Sequence, residues 1–293
     1  MSDKTILVTG ATGATGSATI KLLAERGKSV RALVHKEDER SKNLKRQGVE
    51  ICVGDLLDFD SVRAAVEGIH SAYFIYPIAP GILEATAYFA QAAQEAKLQA
   101  IVNMSQASAR RVAKSHAAQN HWIAERLFGR SGVPVTHLRP TLFAEWILYF
   151  AGFIKAGLLP LPMGTGVHAP ITTGDQARVI ANILVAPEAH SGQVYPLYGA
   201  EEMSFPEMTE MVAQILGKAV RYERTEPTAL RAMLQGKGRK FDDDFFWQHL
   251  REISIDHHNG VFAGTNDLVE KIGGEKPTTF REFIERNRAA LTA

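Results

Sequence analysis

The chain has 293 residues, a length that suits one large domain or two unequal ones. Its 45% hydrophobic and 22% charged residues exclude global disorder. The 33 Lys and Arg residues nearly balance the 32 Asp and Glu residues, so the chain lacks the basic field that binds a phosphate polymer, and we expect no nucleic-acid partner. The longest uncharged apolar run, residues 146–154, is far shorter than the roughly 20 residues of a membrane-spanning helix, so no membrane partner is expected. A single cysteine, Cys52, and the lack of a Cys/His pattern typical of zinc sites favour a reducing, cytoplasmic setting and no metal site.

The first half of the chain alternates short β-branched runs with amphipathic segments, a pattern typical of repeated βαβ units around a parallel sheet. Strands are predicted at residues 5–8, 29–34, 49–53, 71–76 and 100–104, with helices between them at 14–26, 37–47, 60–67 and 82–96. Asp60 is the predicted N-cap of the third helix, and Gly27 and Gly48 lie where a left-handed residue ends the first two. The pattern continues with a helix at 116–130, a strand at 135–138, a helix at 174–185, a strand at 193–198 and a helix at 205–216. From residue 227 onward the chain is predicted to be mostly helical.

Glycine and proline crowd the segment from Gly157 to Gly166, which indicates an irregular loop rather than another βα step. We therefore predict an α/β fold with a doubly wound, Rossmann-type parallel sheet and a smaller, mostly helical C-terminal lobe. The sheet domain is predicted to comprise residues 1–156 and 174–199, and the substrate-side lobe residues 157–173 and 200–293. A ligand crevice is expected outside the carboxyl ends of the strands.

A glycine-rich turn follows the first predicted strand and leads directly into the first helix. The turn and the helix start comprise Gly10, Thr12, Gly13, Ala14, Thr15 and Gly16, with the glycines three residues apart. The first glycine permits a tight turn, the second lets the backbone approach a diphosphate, and the third lets the helix pack closely on the strand. Free N–H groups at the helix start would then face the diphosphate. The alternative is a flexible turn that binds nothing, but the flanking strand, helix and further βα units favour a dinucleotide site.

Several segments carry a family resemblance. The GxxGxxG spacing within TGATGATG resembles the short-chain dehydrogenase/reductase superfamily, and VRALVHK, GDLLD, SGVPVTHLRPTLFAEW and GDQARVIANIL resemble its NmrA-like atypical members, over roughly residues 4–200. That family includes NADPH-dependent quinone and dye reductases, phenylpropanoid reductases and redox-sensing regulators. The resemblance implies that Asp55 and Leu56 bracket the adenine and that Ile75, Tyr76 and Pro77 lie near the nicotinamide ribose. Without it, Asp55 would be interpreted as an ordinary loop residue.

The end of the second strand bears on which dinucleotide binds. An Asp or Glu there would hydrogen-bond the ribose 2′-hydroxyl of NAD and repel a 2′-phosphate, whereas this chain has His35 and Lys36. Many relatives carry Arg at the position of His35, and His cannot copy its bidentate phosphate contact. Lys36 supplies a point charge, and Arg31 contributes only if its side chain faces the same side. We expect NADPH rather than NADH, the alternative being that His35 and Lys36 form an ordinary solvated loop.

Most short-chain dehydrogenases exchange protons through a Tyr and a Lys four residues apart, and no Tyr of this chain has Lys at that spacing. Alcohol oxidation by that dyad is therefore not expected. The resemblance places His121 where the bacterial quinone reductases of the family have His, and Ser105 where the superfamily has a substrate-side Ser. His121 could contact the nicotinamide ribose or supply a proton, while the alternative is a half-buried His paired with Glu125 for helix stability.

Aromatic side chains follow the fourth and sixth strands, where an acceptor would stack on the nicotinamide. Tyr76, Phe143, Trp146 and Met163 are the predicted substrate contacts. Phe143, Trp146 and Phe150 recur at helical spacing, so one buried stripe is the competing interpretation. This lining favours an NADPH-dependent oxidoreductase that delivers hydride to a conjugated, electron-poor acceptor such as a quinone, enone, iminium or dye, as a monomer or homodimer. The alternative is a non-catalytic NADP(H)-binding, redox-sensing regulator that acts through a protein partner.

Overall fold

The computed structural model describes residues 5–235 and 243–292. Its strands are β1 (Ile6–Val8), β2 (Val30–Val34), β3 (Glu50–Val53), β4 (Ser71–Phe74), β5 (Ala100–Met104), β6 (Val135–Pro140), β7 (Leu158–Leu161), β8 (Val194–Leu197) and β9 (Arg221–Arg224). Seven of them form one parallel sheet in the order β3-β2-β1-β4-β5-β6-β8. The order reverses between β1 and β4, so the predicted doubly wound α/β fold is confirmed.

Helices connect the strands and build the C-terminal lobe. They are α1 (Ala14–Glu25), α2 (Glu39–Arg46), α3 (Phe59–Val66), α4 (Ile82–Glu95), α5 (His116–Gly129), α6 (Ala151–Lys155), α7 (Thr173–Val185), α8 (Phe205–Leu216), α9 (Pro227–Leu234), α10 (Asp244–His258), α11 (Leu268–Gly273), α12 (Phe280–Arg286) and α13 (Arg288–Thr292). Gly27 and Gly48 adopt φ angles of +66° and +84° after α1 and α2, as predicted. The predicted N-cap of α3 is wrong, because the carboxylate of Asp58 accepts the backbone N–H of Asp60 at 3.1 Å. The helix therefore starts one residue earlier than predicted.

Two hydrophobic clusters cover the two faces of the sheet. On one face α1 and α7 contribute residues such as Leu23 and Ile180. On the other face the ring of Phe74 packs against Phe89 and Phe128, with centroid distances of 4.9 and 5.1 Å. Parallel strands buried on both faces contain continuous apolar runs, which is why the sequence pattern identified them.

A third hydrophobic cluster forms the core of the mostly helical lobe. It combines residues between positions 142 and 163 with residues between 203 and 291. Residues of the segment 142–156, which the sequence analysis assigned to the sheet domain, pack in this cluster. The division of the chain into two domains stays a prediction.

The segment 157–173 contains regular structure where the sequence predicted only a loop. β7 lies there and pairs in parallel with β9, outside the main sheet, from Leu158 opposite Arg221 to Leu161 opposite Arg224. A 3₁₀ helix over Ala144–Phe150 precedes it. The pattern missed β7 because the strand is short, contains Pro160 and finds its partner far along the chain.

Two features are absent from the part of the chain that the structure describes. None of its helices is both long and apolar enough to cross a membrane. No group of three or more His, Cys, Asp or Glu side chains within it could hold a metal ion.

Candidate functional site

An open cleft of about 920 Å³ lies at the carboxyl ends of the strands, where the strand order reverses between β1 and β4. Doubly wound sheets bind their ligands at this place. Its walls come from the segments that follow β1, β2, β3 and β4. Of the predicted cofactor residues, those that line it are Gly10, Thr12, His35, Asp55, Leu56, Ile75, Tyr76 and Pro77.

The glycine loop leaves no room for side chains at two of its glycines. Gly10 has a φ of +55°, and a Cβ on it would lie 2.6 Å from Cγ2 of Ile75. A Cβ on Gly16 would collide with the carbonyl oxygen of Gly10 and lie 3.0 Å from Cα of Ala11. Gly13 is the N-cap of α1, and no side chain caps the helix there. The first N–H groups of α1, from Ala14 to Gly16, therefore lack a side-chain partner, which suits the binding of a diphosphate.

Thr9, directly before this loop, links the two strands that flank the cleft. It is fully buried, and its Oγ1 accepts the backbone N–H of Ile75 at 2.8 Å. The same hydroxyl donates to the carbonyl oxygen of Ile75 at 3.2 Å. The ends of β1 and β4 are thereby held together at the floor of the cleft. The sequence analysis did not assign this role to Thr9, although a hydroxyl directly after an apolar strand is the available signal.

The two residues predicted to recognise a 2′-phosphate lie in the exposed segment after β2. Nδ1 of His35 is 3.6 Å from Oδ2 of Asp55, which follows β3, and the two side chains are 77% and 46% exposed. The other carboxylate oxygen of Asp55 accepts the backbone N–H of Leu57 at 2.9 Å. Lys36 is exposed beside His35 but does not contribute to the cleft wall. The edge of the cleft therefore carries an imidazole next to a carboxylate.

Arg31 does not serve the cleft. Its Nε donates to the carboxylate of Glu50 at 2.8 Å. Its Nη1 donates to the carbonyl oxygens of Ala65 and Glu67 at 3.0 and 2.7 Å. The guanidinium is thus held against the end of α3, and the condition under which Arg31 would help to bind a phosphate is not met.

Tyr76 lines the cleft after β4, but its hydroxyl is already engaged. It donates to the carbonyl oxygen of Pro80 at 2.8 Å. Burial and the nearby carboxylates of Asp55 and Glu84 raise the pKa of Tyr76, so the phenol is neutral at physiological pH. Tyr76 therefore offers the cleft a ring rather than a readily ionised proton donor.

His121 lies in α5 with only 4% of its surface exposed, and it does not line the cleft. Burial lowers the pKa of His121 to about 4, so the imidazole is neutral near pH 7. Its Nδ1 is buried without a hydrogen-bond partner among the described residues. Burial and the neighbouring His121 lower the pKa of His249 in α10 to about 3, and Nδ1 of that residue hydrogen-bonds Oγ of Ser115 at 2.7 Å. The role of His121 toward ribose or proton stays a prediction.

Glu125, one turn along α5, pairs with residues other than His121. Its carboxylate forms a bidentate ion pair with Arg139, with N···O distances of 2.8 and 2.6 Å. It also accepts Oγ–H of Ser105 at 2.7 Å and Nη1–H of Arg126 at 3.0 Å. Burial raises the pKa of Glu125, but hydrogen bonds from Arg139 and Ser105 outweigh it and hold the pKa below its ordinary value. The charge of Glu125 still acts on His121, because it raises the pKa of the imidazole against the larger effect of burial. The predicted role of Ser105 stays a prediction, and its hydroxyl donates a hydrogen bond to Glu125.

The predicted substrate contacts other than Tyr76 lie outside the cleft wall. Met163 has no exposed surface and packs in the lobe cluster, so the expectation that its side chain faces a substrate is wrong. Phe143 is partly buried against the sheet cluster, and Trp146 is partly buried against the lobe cluster. Phe150 is buried in the same lobe cluster. The buried-stripe interpretation therefore accounts for the burial of Phe150 and for the partial burial of Trp146.

Comparison with known proteins places this chain in a family. The profile described as NmrA-like family matches residues 2–284. The chain belongs to the NmrA-like family. The resemblance drawn from the glycine loop and the later segments is thereby confirmed.

Relatives of this NmrA-like protein include named reductases. An NAD(P)H azoreductase from Xenophilus azovorans is 27% identical over 291 residues, which cover 98% of this chain and 99% of the relative. An NADPH-dependent quinone oxidoreductase from Escherichia coli, solved as a complex with NADPH, is 23% identical with a TM-score of 0.84, covering 96% of this chain and 99% of that chain. A triphenylmethane reductase from Citrobacter sp., solved with NADP(H), is 23% identical with a TM-score of 0.83, covering the same 96% and 99%. Both structures share the fold of this chain.

Proposed function

We propose that this NmrA-like protein is an NADPH-dependent reductase that delivers hydride to a conjugated, electron-poor acceptor such as a quinone, enone, iminium or dye. The observation that carries the proposal is the open cleft at the reversal of strand order, whose wall includes the loop from Gly10 to Thr12 that leads into the uncapped start of α1. Steric exclusion of side chains at Gly10 and Gly16 fits a backbone cradle for a diphosphate. The azoreductase relative, which aligns with nearly the full length of the chain, supports a reductase activity of this kind.

The residues that would hold the dinucleotide are those that the sequence and the family resemblance indicate, and several of them line the cleft. The diphosphate would lie on the backbone between Gly10 and Gly16, and the adenine would lie against Asp55 and Leu56. Ile75, Tyr76 and Pro77 would border the nicotinamide ribose, and His35 with Lys36 would face the 2′-phosphate. A carboxylate directly at the end of β2 would reject that phosphate, and His35 stands there instead, which supports NADPH over NADH.

The nicotinamide of a bound cofactor would supply the hydride. Reduction of a quinone adds this hydride and one proton, and yields a hydroquinone and the oxidised dinucleotide. The hydroxyl of Ser105 donates its hydrogen bond to Glu125, and His121 is buried and neutral near pH 7, so we assign the source of the proton to water. His121 in α5 and Ser105 after β5 would then position neighbouring groups rather than exchange a proton. The chain's own contribution is to bind, orient and bring the two reactants together.

Binding and turnover test this proposal separately. Calorimetry with NADPH and NADH measures binding, and the loss of NADPH absorbance in the presence of quinones and cationic dyes measures turnover. Gly13→Asp is the loss-of-binding variant, because it places a carboxylate where the diphosphate would lie, on an exposed glycine whose added Cβ would lie 3.2 Å from the carbonyl oxygen of Gly10. We expect this variant to remain folded, as circular dichroism would show, and to lose both binding and turnover. Failure of the wild-type protein to bind either dinucleotide would refute the proposal.

The redox-sensing alternative predicts a different result. A regulator would bind the dinucleotide with the same Gly13→Asp sensitivity but would turn over no acceptor in a broad panel. Its association with a protein partner would then differ between NADPH and NADP⁺. Turnover of one acceptor class at rates that depend on Gly13 decides for the reductase.

A further inference from the structure

We propose that Asp243 makes the cleft select acceptors by charge, so that a cationic dye or an iminium is favoured over a neutral quinone. The inference rests on the proposed function, because it narrows the class of acceptor for the same cleft. Its structural basis is that Asp243, from the C-terminal lobe, lines the cleft. Among the described residues of the cleft wall there is no Lys or Arg, and the only other carboxylate is that of Asp55.

The proposed cofactor contacts do not use the whole of the cleft wall. Ile78 and Ala79 continue the wall beyond Pro77, which would border the nicotinamide ribose, and neither is assigned to the cofactor. Ile78 also packs against the hydrophobic cluster of the lobe, so this part of the wall lies where the sheet meets the lobe. Asp243 is the residue that the described part of the lobe contributes to the wall. An acceptor beside the nicotinamide would therefore meet an apolar surface at Ile78 and Ala79 and a carboxylate at Asp243.

Asp243 is held in place by the helix that it caps. It is the N-cap of α10, and its Oδ1 accepts the backbone N–H of Phe245 at 2.8 Å. Polar contacts join α10 to the start of α5 and to the segment before it, from Asp256 to Arg110, from His249 to Ser115, and from Gln248 to the backbone of Lys114 and His116. No ion pair joins Asp243 to another residue that the structure describes, whereas Asp244 pairs with Arg231 at 2.7 Å. The helix therefore fixes a carboxylate at the cleft.

A fixed carboxylate acts differently on the two classes of acceptor. Reduction of a cationic dye or an iminium forms one C–H bond with hydride from NADPH, consumes no proton, and yields a neutral product and NADP⁺. The carboxylate attracts the cation before the transfer, which lowers its KM. Reduction of a quinone instead places a negative charge on the acceptor until a proton arrives. The carboxylate of Asp243 opposes that charge.

The expected effect is moderate because the cleft is open to water. One unit charge about 4 Å from another in water-like surroundings changes an affinity about fivefold. Asp243→Asn removes the charge and keeps the cap, because Asn accepts a backbone N–H at a helix start as well as Asp does. We therefore expect kcat/KM to fall about fivefold for a cationic dye, mainly through KM, and to rise for a neutral quinone. Opposite shifts distinguish a charge effect from a loss of structure, which would lower both values.

Crystal violet and menadione serve as the cationic and the neutral acceptor. Turnover with NADPH is measured for wild type, Asp243→Asn and Asp244→Asn, and circular dichroism shows whether each variant is folded. Asp244→Asn is the matched control, because it removes the same charge from the next residue of α10, whose side chain is 89% exposed and lies outside the cleft wall. The dissociation constant of crystal violet is also measured, from its absorbance change on binding to the protein loaded with NADP⁺. It should rise about fivefold in Asp243→Asn and less than about twofold in Asp244→Asn.

Each result has a defined consequence. The same ratio of kcat/KM for the two acceptors in wild type and Asp243→Asn would overturn the inference and leave the proposed function intact. A fall for both acceptors, or an equal change in Asp244→Asn, would also overturn it, because the first indicates a structural role and the second a field of the whole surface. If wild type reduced neither acceptor, an unchanged affinity for crystal violet in Asp243→Asn would overturn the inference, and a loss of about fivefold would support it. A wild-type protein that bound neither dinucleotide would refute the proposed function itself.

Discussion

Removing the charge of Glu125 tests whether its hydrogen-bond network stabilises the region beside the cleft. Glu125→Gln keeps the shape of the side chain but leaves Arg139 and Arg126 without their common carboxylate. The Glu125 side chain is 3% exposed, whereas Arg139 is 24% and Arg126 41% exposed. Breaking a fully buried pair costs about 3–5 kcal/mol, and both guanidinium groups here can regain some water. We therefore expect the free energy of unfolding to fall by about 2–3 kcal/mol at neutral pH.

Unfolding at acidic pH tests the direction in which Glu125 changes stability. The native network holds the pKa of Glu125 below its ordinary value, so its stabilisation is complete above the unfolded-state pKa of about 4.3. The stabilisation is lost as the pH falls through the lower, native pKa, because the carboxylate is then protonated. Urea unfolding of wild type and Glu125→Gln should therefore show a difference at neutral pH that shrinks in acid. Glu39→Gln, which removes an exposed ion pair with Lys42, should change stability by less than about 0.5 kcal/mol. A Glu125→Gln difference no larger than this control, or one that grows in acid, would refute the reasoning.

Two further predictions concern packing in the segment after β1, and a third concerns stabilisation by the cofactor. Gly16→Ala should lower the free energy of unfolding by about 2 kcal/mol, because its methyl group meets the carbonyl oxygen of Gly10. The control Gly129→Ala, with open space around the added methyl group, should not lower it. Equal urea midpoints for the two variants would contradict this packing argument. Thr9→Val should cost about 1–2 kcal/mol, because the partly buried N–H of Ile75 loses its acceptor. An unchanged melting temperature would argue against the link between β1 and β4. NADPH at 100 times its dissociation constant should raise the free energy of unfolding by about 2.7 kcal/mol, and an unchanged melting temperature would argue against binding to the native state.

The glycine loop could be predicted from the sequence because its determinants are local. The turn, the helix start and the close approach of helix to strand all depend on residues between Thr9 and Gly16. The sheet strands were equally accessible, since burial on both faces leaves a continuous apolar run. β7 and β9 were missed because each finds its pairing strand across a long stretch of chain. Short strands without a local partner leave no period to detect.

The surroundings of α5 show more clearly what could not be predicted from the sequence. Spacing along a helix places His121 and Glu125 on one face, and local reasoning then pairs them. In the folded chain Arg139, from β6, forms the ion pair with the carboxylate, and α10 brings His249 near the imidazole. Arg139 comes from the next strand along the chain and His249 from a helix of the C-terminal lobe, so no pattern within α5 itself could indicate them. The sequence analysis therefore singled out His121 and Glu125 but could not predict which residues they contact.

The same contacts narrow the chemistry that the cleft can perform. A simple ketone develops alkoxide charge on one oxygen during hydride transfer and needs a proton donor within hydrogen-bonding distance. The three side chains that the family resemblance brings to this region are committed or neutral: Ser105 donates to Glu125, Tyr76 donates to Pro80, and His121 is buried and uncharged near pH 7. A quinone spreads the added charge over a conjugated ring, and a cationic dye is neutralised by hydride. Acceptors of this kind need orientation more than acid, so the proposed function requires the cleft between β1 and β4 only to position the two reactants.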